Sequence, residues 1–246
     1  MSRLVIAVVL LIPGVVCADT MTVNSGIDGT VVISSSVTGS QDVYAGSYTG
    51  TINGFDHAIY CVDIKDDIGW GAVYNVTPTV LTSSFTGFTG NQVSNAAENI
   101  LAVMGAAERD FSTSFSAVDF ETGLQIALWS AEYNGLGQIG AASATTPFLT
   151  FSSPNPTNAI TVANSILGVA STLDSTTVAS LTGNSVMLLQ AGHNGNQGQD
   201  MITWQPPGVS VDFISPVPEP SSLVLLGLGC IGVVCHSYRR RFAVAL

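Results

Sequence analysis

The side chain with the most reactive chemistry in the body of this chain is the thiol of Cys61, set in the run Tyr60-Cys61-Val62-Asp63. Of the four cysteines, Cys17 lies in an apolar N-terminal segment and Cys230 and Cys235 in an apolar C-terminal one, which leaves Cys61 alone between them. An internal disulfide is therefore not open to it. A lone thiol of this kind is a buried small hydrophobe, an intermolecular disulfide partner, or a chemically committed residue. Other combinations offer less. Asp63, Asp66 and Asp67 with Lys65 have the acidity of a calcium loop but lack its Gly and Glu positions, so a solvated turn is the expectation. His57, His193 and His236 are scattered, and no zinc signature, Ser-His-Asp order or nucleotide-binding loop occurs. With no nucleophile–base pair in view, the chain is not expected to be an enzyme, and no cofactor or metal is implied.

Two end segments bracket the region that must hold Cys61. Arg3, the apolar stretch from Leu4 to Ile12 and the small-residue site Val16-Cys17-Ala18 make residues 1–18 a secretory signal peptide. At the other end, Pro216, Pro218 and Pro220 impose an extended spacer. Ser221 or Ser222 can cap the apolar helix that starts at Leu223, and Arg239, Arg240 and Arg241 form a positive cluster that stays on the cytoplasmic side. This tail, residues 216–246, resembles the PEP-CTERM sorting signal of exported bacterial proteins: Pro218-Glu219-Pro220, then a hydrophobic span, then arginines. The resemblance implies an exosortase-type sorting protease as partner, transient anchoring in the inner membrane, and delivery to the envelope or outside the cell.

The body, residues 19–215, has the length of one domain. Of the 17 acidic residues in the chain only Glu219 falls outside it, whereas of the 6 basic residues only Lys65 and Arg109 fall inside. So acidic a body has no field for nucleic acid or anionic lipid. Its β-branched and aromatic runs predict strands at Thr30–Ser34, Tyr44–Thr51, Ala58–Ile64 and Gly71–Val76. Apolar residues at helical spacing predict helices over Val93–Glu108, Asp119–Tyr133 (capped by Ser116 or Asp119) and Thr157–Leu173. Phe148–Pro156 reads as a loop, and strands return at Ser185–Gln190 and Met201–Trp204. The order β, α, β predicts an α+β fold: a mostly antiparallel β domain with about three inserted helices.

On these elements lie two short motifs. Tyr60-Cys61-Val62 is on a strand, and Leu124-Gln125-Ile126-Ala127-Leu128-Trp129 is on the second helix. The pair resembles the thioester domains of bacterial surface adhesins, with Leu124 standing where that family has Thr. The resemblance covers roughly residues 40–205. It implies an internal thioester between Cys61 and a glutamine side chain, open to capture by an amine on a surface or matrix polymer, with Tyr60 and Trp129 as supporting motif residues. Gln125 is the first candidate for the acyl partner, with Gln199 and Gln190 as alternatives, and the choice rests on a distance. The alternative is an inert component of extracellular polymer, with Cys61 merely packed and the Gln125–Trp129 pair a helix contact.

Overall fold

β-Branched and small polar residues keep the start of the body extended. The computed structural model describes residues 19–204, apart from 36–38, 53, 63, 65–70, 89–91, 109–114, 141–146, 183–185, 194–195 and 198–199. In it β1 (Asp19–Ser35) and β2 (Gly39–Ile52) form one long antiparallel hairpin. A bulge between Val23 and Ser25 bends β1, and the Asn24 side chain ties the bend to Thr51 Oγ1 at 2.6 Å. Gly54, at φ 85°, leads into β3 (Phe55–Cys61). β4 (Val73–Val80) pairs with only the first residues of β1, from Asp19 opposite Val76 to Thr22 opposite Val73.

Four helices and one strand separate β4 from the strands that finish the sheet. α1 (Ala96–Ala107) and α2 (Ala117–Tyr133) come first. β5 (Leu149–Asn155) follows, then α3 (Ala159–Ala170) and α4 (Ser175–Thr182). β6 (Val186–His193) then pairs with β4, and β8 (Met201–Trp204) inserts between β6 and β3, with the two-residue β7 (Asn196–Gln197) against β6. The circuit β1-β2-β3-β8-β6-β4 closes on itself through antiparallel ladders, a six-stranded barrel whose closure removes its edges. β5 pairs with the distal half of β1, so β2, β1 and β5 form a three-stranded arm.

The central helix is α2. Ser116 caps it, accepting from the Asp119 N–H at 3.1 Å and donating to Asp119 Oδ2 at 2.6 Å. Every residue from Thr122 to Tyr133 is buried, because α2 is packed by α1, α3, β1 and β2 together. Gly123 lets α3 come close: a methyl group there would stand 2.5 Å from Val162 Cβ and 2.9 Å from the Ala159 carbonyl oxygen. α1 is keyed by Asn99, which donates to the Ala131 carbonyl at 3.0 Å.

The α+β expectation with three helices is corrected by this architecture. Among the described residues the fold is mostly β, a closed barrel with extra strands and four short helices. Closure depends on β4 meeting the first residues of β1, a pairing between segments some fifty positions apart that no local pattern announces. The expected loop at Phe148–Pro156 is mostly β5: Ser, Pro and Asn suggest a loop in isolation, but Leu149 and Phe151 are buried against the arm. α4 escaped notice because only Val178 and Thr182 of its eight residues are buried, too few to mark a period. These elements fall within the compact unit Ala18–Val211; the other unit, Met1–Cys17 with Asp212–Leu246, lies outside the described residues.

Candidate functional site

Cys61 is the last residue of β3, at a point where its two neighbouring strands part company. The ladder to β2 ends at Tyr48 opposite Ile59, whereas the ladder to β8 runs on through Cys61 opposite Met201. Beyond it the Val62 N–H donates to the Asp200 carbonyl at 3.0 Å. Alternate residues of an antiparallel strand turn their backbone groups to opposite sides. With Val62 bonded toward β8, the N–H and C=O of Cys61 point to the side that β2 has left. Gln125 of α2 occupies that side. Its Oε1 accepts from the Cys61 N–H at 2.9 Å, and its Nε2 donates to the Cys61 carbonyl at 2.7 Å. One buried side-chain amide thus stands in for a missing strand, and both residues are shut off from water.

Side-chain alternation then separates the chemistry by face. Tyr60 points toward α2, where its hydroxyl donates to Glu121 Oε2 at 2.7 Å. Burial, the Glu121 charge and this hydrogen bond all push the Tyr60 phenol well above its usual range. Cys61 must face the other way, into the barrel, in one cross-strand row with Met201 and Leu189. His57 shares that face and is buried. Desolvation lowers its pKa from 6.5, partly countered by the Asp56 charge.

The three candidate glutamines therefore stand very differently. Gln125 is brought to Cys61, but through the backbone. Gln190 is exposed on β6, two strands from β3 (about 10 Å) and on the opposite face from Cys61. Gln199 lies outside the described residues; its chain neighbour Asp200 is the one bonded to Val62. Trp129, one turn after Gln125, is buried, and its indole N–H finds no acceptor among the described residues. Asp63, Lys65, Asp66, Asp67 and His236 fall outside the described residues, as do the signal peptide and the sorting tail with Pro218, Glu219, Pro220 and Arg239 to Arg241. Among the described residues no group of three His, Cys, Asp or Glu is gathered as metal ligands. The sequence reasoning missed Glu121. Its signal was its position one turn before Gln125 on the same helix, which gives α2 two polar side chains reaching β3.

Comparison with known families decides the tail. Residues 216–241 match the PEP-CTERM protein-sorting motif. The PEP-CTERM motif implies export, recognition by an exosortase-type system, and an envelope or extracellular destination. No curated protein and no solved structure matches the chain, so the thioester-domain resemblance of the body rests on its two motifs alone. Among the described residues no helix is long and apolar enough to cross a membrane; the apolar stretch of the PEP-CTERM segment is not one of those residues.

Proposed function

We propose that the exported body is a covalent adhesin carrying an internal thioester on Cys61. The thiol sulfur attacks the side-chain carbonyl carbon of a glutamine, the C–N bond breaks, and the amide nitrogen leaves as ammonia with the thiol proton. A surface amine later attacks the same carbon, forming an amide and returning the thiol. Such a bond survives only where the thiol is held still and water is kept out. The observation that carries the reading is the double hydrogen bond from Gln125 to the backbone of Cys61, which immobilises a buried thiol at a strand end.

Within this reading the acyl partner is Gln199. The amide of Gln125 is already engaged at both ends, and Gln190 is on the wrong face. What supports Gln199 is register: the residue after it, Asp200, bonds to Val62, and Met201 pairs with Cys61. Intact mass of the exported body tests the proposal. The expected mass is one ammonia below the sequence mass in the native protein, restored in Cys61→Ala and Gln199→Ala, with methylamine adding its full mass to the native protein and exposing Cys61 to alkylation. A full sequence mass overturns the adhesin reading and leaves an inert matrix component, for which the packing of Cys61 beside Met201 and Leu189 would be purely structural.

A further inference from the structure

A second site lies at the N-terminal end of α2. Gly29 and Thr30 of β1, Tyr44 of β2, Val118 of α2, and Asn155 and Pro156 at the end of β5 line a cleft of about 260 Å³. Four large apolar side chains stand out into solvent among the described residues: Tyr44, Phe55, Val73 and Val118. Two of them line this one cleft, Tyr44 at 61% exposure and Val118 at 39%. An aromatic ring left that open on a body with a packed core is a feature of binding surfaces.

Beneath the cleft, behind Gly29, lies a buried polar group. Gly29 packs so tightly that a side chain there would overlap the Asn155 carbonyl oxygen and come within 2.7 Å of Thr122 Oγ1. The Thr122 hydroxyl therefore lies directly behind Gly29. It is fully buried and has no hydrogen-bond partner among the described residues; Asp119 Oδ1, one turn earlier, is buried and lacks one too. Buried oxygens in that state cost free energy until a hydroxyl or water reaches them.

We propose that this cleft binds a neutral saccharide unit of an extracellular polymer. A pyranose ring offers an apolar C–H face to stack on Tyr44 and pack against Val118. Its hydroxyls both donate and accept, as the Asn155 amide and the Thr30 hydroxyl require. Charge decides against anionic ligands. Among the described residues no lining residue is charged, and the body carries 16 acidic residues (17 minus Glu219) against two basic ones, so a polyanion would meet net repulsion. The volume is below the roughly 300–1,000 Å³ that encloses a drug-sized molecule, and it suits one ring with the chain continuing on either side.

Affinity electrophoresis of the exported protein in native gels tests this, with dextran, galactomannan or mixed-linkage glucan cast in the gel and alginate as the anionic control. The expected result is retardation by at least one neutral polymer and none by alginate. Tyr44→Ala weakens that retardation by about tenfold or more, the scale of a lost aromatic contact, and Val118→Asp weakens it as well. Both positions are exposed, and unchanged circular dichroism confirms that the variants fold. Cys61→Ala, at a position that is not among the residues lining the cleft, leaves retardation intact. Absence of retardation in all three neutral gels overturns the proposal, as does retardation by alginate alone or retardation indifferent to Tyr44→Ala.

Discussion

Gln125→Leu isolates what the amide of Gln125 does for Cys61. Leucine nearly keeps the volume, so little cavity opens, yet it can neither accept from the Cys61 N–H nor donate to its carbonyl. Two buried backbone groups then lose these bonds, at about 1–3 kcal/mol each, a loss of about 2–6 kcal/mol. For a body of this size that lowers Tm by roughly 10 °C, at about 2–4 °C per kcal/mol. The measurement belongs in a Cys61→Ala background, because the bonds run to the backbone of residue 61 and persist there, whereas any thioester is removed. Urea midpoints give the free energy, and amide exchange at residue 61 gives the location: the residue 61 N–H should lose its protection selectively. Gln190→Ala, on an exposed strand position, serves as the control and should stay within about 0.5 kcal/mol of its parent. A Gln125→Leu loss no larger than that control, or an unchanged exchange rate at residue 61, would refute the assignment of Gln125 as the end of the ladder.

Gly123→Ala should destabilise by about 1–3 kcal/mol in the same urea assay, because the added methyl meets Val162 and the Ala159 carbonyl at the α2–α3 crossing; a neutral or stabilising result would mean that α3 yields freely. Tyr60 should make stability fall at high pH. Its folded-state pKa is raised above the unfolded value of 10.0, so the folded chain holds the proton longer. That stability is fully present below pH 10 and lost as pH rises beyond it, and Tyr60→Phe should flatten the decline measured by urea midpoints between pH 8 and 11.5.

Much of the molecule was legible along the chain. The tail declares itself by order alone, because proline, an apolar run and arginine each act locally on backbone and bilayer. Helices α1, α2 and α3 were visible because apolar residues recur at helical spacing along each, even though α2 is buried all round from Thr122 to Tyr133, and Ser116 was legible as a cap because capping acts over three residues. The motif pair around Cys61 and Gln125 was also visible, though not the manner of their meeting. Whether Gln125 faces the thiol or the backbone depends on where β2 stops beside β3 and on which way Val62 is bonded, and both are set by pairing with β8, some 140 residues downstream. The barrel itself closes through the first residues of β1, which carry no mark of the strand they will meet. Only the tertiary structure decided the face of the sheet that each side chain took, because a strand alternates every residue and one step of register exchanges the two faces.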